Sequence, residues 1–170
     1  DYSIQLSEIF YKRFLSNSEI TLFSPHNVPG LYEAFGTPEF DELYERYERA
    51  TSIPKTKVSA RDLFTNMLKE RAETGRIYIM NIDHCNSHSS FTDKVNMSNL
   101  CQEITLPTDP LTHIDGDGEI ALCILSAINV GTIKLEELSN LCDLAVRGLE
   151  ELIDFQEYPV EAAKRSTKAR

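Results

Sequence analysis

The chain has 170 residues, 41% hydrophobic and 26% charged, which is enough apolar sequence for one packed domain and too much for wholesale disorder. A formal net charge of -10 argues against a general nucleic-acid binder, of DNA or RNA, because such proteins need a positive face to displace counterions. No apolar run is long enough to span a bilayer, so no membrane segment is expected. The four cysteines, Cys85, Cys101, Cys123 and Cys142, are widely and unevenly spaced, which fits a reducing, cytoplasmic setting better than a secreted disulfide framework.

In chain order, residues 2–16 place Ile9, Phe10, Phe14 and Leu15 at helical spacing. Ile20-Thr21-Leu22-Phe23 reads as a short strand, followed by a loop or short helix punctuated by Ser24-Pro25 and Pro29-Gly30. Thr37-Pro38-Glu39 reads as a helix start with a capping hydroxyl, and Phe40, Leu43, Tyr44 and Tyr47 follow on one face. A further helix is predicted over 59–73, with Leu63, Phe64, Met67 and Leu68 as its apolar stripe and Thr74-Gly75 closing it. These aromatic and Met stripes are read as core.

The character changes at Arg76. Ile77-Tyr78-Ile79-Met80 reads as a buried strand, residues 81–96 as polar loop, 100–106 as a second strand, and 119–125 as a third, with Gly116 and Gly118 in the turn before it. Residues 135–153 predict a long helix with a buried face, and Pro159 opens a final helical stretch. Lys164, Arg165, Lys168 and Arg170, the one dense basic run, read as a solvated helix face or tail. The expectation is therefore an α/β fold in a single segment, 1–170, helical over about 1–75, with strands, loops and helix over about 76–170. The strands do not form a closed set, so the sheet is expected to be incomplete.

Residues 99–103 carry the most chemistry. If they are extended, side chains alternate, and Asn99, Cys101 and Glu103 share a face with about 7 Å per step of two residues. An amide can orient a hydroxyl, a thiol can donate a hydrogen atom, and a carboxylate can take a proton. The plain alternative is a polar strand face that happens to hold a cysteine. Cys123 falls in the next predicted strand and is either a neighbour of Cys101 or a small buried hydrophobe. His84-Cys85-Asn86-Ser87-His88 offers two imidazoles four apart beside a thiol; a zinc site using His84, Cys85, His88 and Cys101 is the weakest reading, and hydrogen-bonding loop histidines are the simpler one. No metal ligand is therefore assigned. No Gly-rich phosphate loop and no Gly-x-Ser-x-Gly elbow occurs.

Several motifs then stand in a recognisable order: Thr21-Leu22-Phe23-Ser24-Pro25, Val28-Pro29-Gly30-Leu31-Tyr32, Glu70-Arg71-Ala72 with Thr74-Gly75-Arg76-Ile77-Tyr78, and Asp83-His84-Cys85-Asn86 with His88-Ser89. Ser98-Asn99-Leu100-Cys101 with Glu103-Ile104, Leu106-Pro107-Thr108, Gly118-Glu119-Ile120-Ala121-Leu122-Cys123 and Ala162-Ala163-Lys164-Arg165 complete the series. Together they resemble the large, catalytic subunit of class I ribonucleotide reductase, of the bacterial and T-even-phage type, across essentially the whole chain.

The resemblance implies a segment of a ten-stranded α/β barrel whose central finger loop carries a radical cysteine. It implies that Cys101 becomes the thiyl radical that abstracts the ribose 3′-hydrogen, that Glu103 takes the 3′-hydroxyl proton, and that Asn99 hydrogen-bonds the substrate sugar. Cys123 matches one member of the redox-active dithiol; Cys85 and Cys142 match no functional cysteine. The implied substrate is a ribonucleoside diphosphate. No cofactor is expected to bind directly: the radical comes from a metal-containing small subunit, and reducing equivalents from a thioredoxin- or glutaredoxin-type protein. The other expected partners are the remaining segments of the large subunit and, in the complete subunit, ATP and other nucleotide effectors. As an internal fragment the chain is expected to be inactive alone. The alternative is a non-catalytic interaction piece that completes a split subunit.

Overall fold

The computed structural model describes residues 2–114 and 116–169. It divides into two compact units, one up to Pro107 and one from Thr108. Each is taken by itself.

The first unit interleaves helix and strand: β1 Tyr2–Leu6, α1 Glu8–Leu15, β2 Glu19–Phe23, a 3-10 turn at Pro25–Asn27, α2 Leu31–Ala34, α3 Glu39–Arg49, β3 Lys55–Ser59, α4 Ala60–Thr74, β4 Ile77–Asn81 and α5 Ile82–Ser87. β1 pairs with β4 in parallel, Tyr2 opposite Ile77 and Leu6 opposite Asn81. β2 pairs with β3 antiparallel, Glu19 opposite Ser59 and Phe23 opposite Lys55. The parallel pair requires a long crossover, which the intervening elements supply. The chain is thus α/β, and its four described strands form two separate two-stranded sheets rather than a closed barrel.

Packing explains most of these elements. Leu6, Ile9, Phe10, Ile20, Phe40 and Tyr44 meet in one core, with Phe64 edge-on to Phe10, Tyr11 and Phe14. Tyr44, 4% exposed, sends its hydroxyl to β2, donating to the Thr21 carbonyl at 2.8 Å and accepting the Thr21 N–H at 2.6 Å. Ser59 caps α4 by accepting the Asp62 N–H, and Gly75 ends it in the left-handed region at φ +67°, where glycine carries no Cβ penalty. The Lys55 ammonium bonds carbonyls of Glu48 and Ala50 at the end of α3, where positive charge is favoured.

Several expectations are corrected. Residues 2–6 are strand, not helix, because pairing with β4 outweighs a helical spacing that starts only at Ile9. Thr37 does not cap α3; its hydroxyl donates to the Ala34 carbonyl, and Pro38 holds the cap position. β3 carries two lysines and no apolar alternation, so no local pattern marks it as a strand, and its last residue, Ser59, falls at the start of the helix predicted over 59–73. Residues 82–87 form α5, not loop.

The second unit contains a 3-10 turn at Leu135–Glu137, α6 Leu138–Phe155 and α7 Glu161–Lys168. The final helix and the long helix fall where the spacing predicts them. The strand predicted over 119–125 is absent: the segment pairs with no strand. It runs beside α7, where the Ile120 N–H donates to Ser166 Oγ at 3.1 Å. The predicted buried face of α6 is only partly covered: Leu138, Leu141, Ala145 and Leu149 are half-buried, whereas Val146 at 66% and Leu152 at 51% are exposed, as are Leu144 and Phe155 outside that face. The basic run is more than a solvated tail, since the Arg165 guanidinium donates to the Gly116 and Gly118 carbonyls at 2.9 Å each. Arg170, counted in that run, lies outside the described residues.

Candidate functional site

The site begins at α5. Asn86 on this helix bonds three backbone groups at once: its amide nitrogen donates to the Gly36 and Val95 carbonyls at 3.0 and 3.1 Å, and its oxygen accepts the Val95 N–H at 2.7 Å. Val95 is fully buried against Met80 and Ile82. Gly36 must be glycine here, because a Cβ would sit 2.6 Å from the Ile82 side chain and φ is +81°. The Asp83-His84-Cys85-Asn86 stretch therefore pins the loop that leads toward residues 99–103, a role that no sequence motif announces. Its signal was a side-chain amide amid charged and aromatic neighbours, with no periodicity to mark it.

Residues 99–102 form a tight turn, not the expected strand. The Gln102 N–H donates to the Asn99 carbonyl at 3.1 Å, and Gln102 adopts φ +65°. Asn99 then closes the loop a second time, its side-chain oxygen accepting the Ile104 N–H at 3.0 Å. The Ser98 hydroxyl donates to the Asn99 carbonyl, and the Gln102 amide reaches back to Ser3 Oγ on β1 at 2.6 Å. The strand reading fails because local hydrogen bonds from Asn and Ser compete with a ladder that has no partner strand nearby. The alternation that put Asn99, Cys101 and Glu103 on one face consequently does not apply.

What replaces it is a stitched loop with Cys101 near its apex. Cys101 and Glu103 are both exposed, and Asn99 is half-buried. Since the Asn99 oxygen is committed to Ile104, its amide N–H groups remain the part able to donate to a ligand hydroxyl. All four cysteines are free thiols. Cys123 lies in the second unit, exposed, in the irregular segment before α6. Cys85 is half-buried, and burial pushes its thiol above the ordinary range, which makes it a poor nucleophile.

His88 behaves as a hydrogen-bonding group, with the His84 backbone as one of its partners. His88 Nδ1 lies 3.1 Å from the His84 carbonyl and 3.0 Å from Ser87 Oγ. The two rings are edge-on at 6.0 Å. Among the described residues no group of three or more His, Cys, Asp or Glu side chains is placed to hold a metal ion, so the four residues considered for zinc are not assembled. Likewise, no described helix is long and apolar enough to cross a membrane.

Comparison with known proteins finds relatives along the whole chain. Residues 1–170 match the family model described as "Ribonucleotide reductase, barrel domain". The ribonucleoside-diphosphate reductase subunit alpha of Haemophilus influenzae is 56% identical over the whole chain, and subunit alpha of reductase 1 of Escherichia coli K12 is 53% identical. The corresponding subunit of Enterobacteria phage T4 is 38% identical. Each match covers 100% of this chain but only 23 to 24% of the relative, so the chain spans about a quarter of their length.

Proposed function

Because the chain belongs to the ribonucleotide reductase barrel-domain family, we propose that it supplies the radical-cysteine loop and one redox cysteine of a ribonucleoside-diphosphate reductase large subunit. The observation that carries this reading is the loop itself. A thiol that must first receive a radical and then reach a sugar belongs at an exposed, rigidly held apex. Cys101 has that position, fixed by the Asn99–Ile104 and Gln102–Ser3 hydrogen bonds.

In the proposed reaction Cys101 loses its S–H hydrogen to a radical generated by a metal-containing small subunit. The thiyl takes the 3′-hydrogen of a ribonucleoside diphosphate. Glu103 accepts the 3′-hydroxyl proton as the 2′-hydroxyl leaves as water, and an Asn99 amide N–H holds the sugar hydroxyl in line. Cys123 and a second thiol from outside this chain give up both their hydrogens, one as the proton that leaves with the 2′-hydroxyl in water and one to the 2′ carbon, and end as a disulfide while Glu103 returns its proton to the 3′ oxygen. Cys101 then returns its hydrogen to the 3′ carbon, and a thioredoxin- or glutaredoxin-type protein reduces the disulfide. Nucleotide effectors act on parts of the subunit beyond these 170 residues.

The uncovered apolar side of α6 favours a second role alongside the first, completion of a larger barrel by association. The test is reconstitution. The chain is combined with the remaining large-subunit sequence and the small subunit, and conversion of CDP to dCDP is followed. Turnover that depends on adding the chain and vanishes with Cys101→Ser is expected; turnover unaffected by that substitution would overturn the proposal.

A further inference from the structure

A cleft of about 600 Å³ opens at the carboxyl ends of the parallel strands β1 and β4, and the chemistry proposed for Cys101 does not use it. Glu8, Asp41, Asp83 and Asp93 line it, together with the ammonium groups of Lys12 and Lys94 and the imidazole of His84. Lys12 is taken up by Glu8 at 3.3 Å and Asp41 at 3.0 Å. The Lys94 ammonium donates to the Glu33 carbonyl at 2.7 Å.

Asp83 stands apart from these. One oxygen accepts the Glu8 N–H, while the other, Oδ1, is buried with no hydrogen-bond partner among the described residues. A buried carboxylate oxygen without a donor is costly, and native structures rarely leave one.

We infer that this cleft receives a lysine or arginine side chain from a part of the reductase subunit outside the chain, with Asp83 Oδ1 as its acceptor. The inference rests on the reading of the chain as one part of a larger subunit. Three observations converge on this occupant. The lining carries an excess of two carboxylates over ammonium groups. Phe91 and Pro38 offer apolar wall along which a long aliphatic stem can lie beneath its charged head. About three quarters of the relatives' length lies beyond the matched region and is available to provide it. Desolvation pushes the Asp83 carboxyl above its ordinary range against the opposing Glu8 hydrogen bond, and the nearby Asp41 and Glu8 charges add to the rise while His84 opposes it. An incoming cation reverses that bias. A metal ion fits less well, because no three ligating side chains converge among the described residues.

Asp83→Asn tests this, since the asparagine keeps an acceptor for Glu8, removes the charge and turns the Oδ1 position from an acceptor into an amide donor. Affinity of the chain for the complementary large-subunit segments is measured at low and high salt. The substitution is expected to weaken association about tenfold or more and to flatten its salt dependence. In the isolated chain, where nothing meets Oδ1, the same substitution is expected to leave the urea midpoint unchanged or raised. A lowered midpoint would make Asp83 merely structural and overturn the inference. Equal association of both chains at every salt concentration sinks it while leaving the subunit reading intact; failure of the wild-type chain to associate at all sinks both. Saturable binding of free propylammonium to the assembled complex, lost in Asp83→Asn, would show the cleft still open and also count against it.

Discussion

The side-chain oxygen of Asn99 accepts the backbone N–H of Ile104 at 3.0 Å, across the turn that carries Cys101. This bond separates two duties of one amide: the oxygen shapes the loop, and the nitrogen is left to meet substrate. Asn99→Asp keeps the acceptor and loses the donor, whereas Asn99→Ala loses both. In reconstituted enzyme both variants are expected to slow turnover. Only the alanine variant should also speed hydrogen exchange at the Ile104 amide. Equal exchange in the two variants would argue that the loop is held by something else.

Glu103→Gln is expected to leave nucleotide affinity near normal and to slow turnover by about 10²- to 10⁴-fold, the range lost when a general base is removed. Glu103 is exposed and outside any regular element, so the substitution should not disturb folding. Binding and single-turnover measurements on the same preparation separate the two effects. A rise in the dissociation constant that matches the loss in rate would assign Glu103 to binding alone.

The Tyr44 hydroxyl satisfies both backbone groups of Thr21 from a buried position, so Tyr44→Phe strands a donor and an acceptor. A loss of about 1–3 kcal/mol in urea unfolding is expected. Burial raises the phenol above its ordinary pKa, so the folded state prefers the protonated form. The resulting stability is complete below the unfolded tyrosine value and is lost as pH rises through the folded one. Alkaline unfolding should therefore be shallower in Tyr44→Phe than in the parent chain. A steeper alkaline loss in the variant would contradict this.

The second unit offers a parallel test. Arg165 bonds the carbonyls of Gly116 and Gly118, and a Cβ on Gly118 would lie 2.5 Å from the Pro110 carbonyl oxygen. Gly118→Ala is expected to destabilise this unit by about 1–3 kcal/mol through overpacking against rigid backbone. Arg165→Ala should act in the same direction, and both should hasten tryptic cleavage within 108–170. Unchanged cleavage in both variants would mean that the 116–118 loop is not held by α7.

Helices with their own caps and stripes were legible in the sequence: Ser59 and Gly75 bound α4, and the spacing of α6 is unbroken. β1 and β3 were not, because what makes them strands is the partner across the ladder, and Lys55-Thr56-Lys57 shows no apolar face. At residues 99–103 the motif names Asn99, Cys101 and Glu103 as the candidates. Their backbone was not legible, since a five-residue alternating run cannot announce that Asn99 will fold it into a turn. The structural duties of Asn86 and Gln102 depend on contacts 50 and 99 residues away, which no local pattern encodes.

The last prediction concerns α6. Leu144, Leu152 and Phe155 stand at 51 to 80% exposure within about 80° of one another around α6, one apolar strip rather than scattered exposed residues. Water-exposed apolar area of this kind is lowered in free energy by any contact that covers it. The isolated chain is therefore expected to self-associate, with light-scattering mass rising with concentration. Leu144→Lys together with Phe155→Lys should shift the population toward monomer without loss of helix signal, because lysine is a good helix former and neither residue is buried. The same pair should weaken association with the remaining subunit segments if one surface serves both contacts. A monodisperse monomer at high concentration with a sharp, cooperative thermal transition would show that the exposed side of α6 does not drive association.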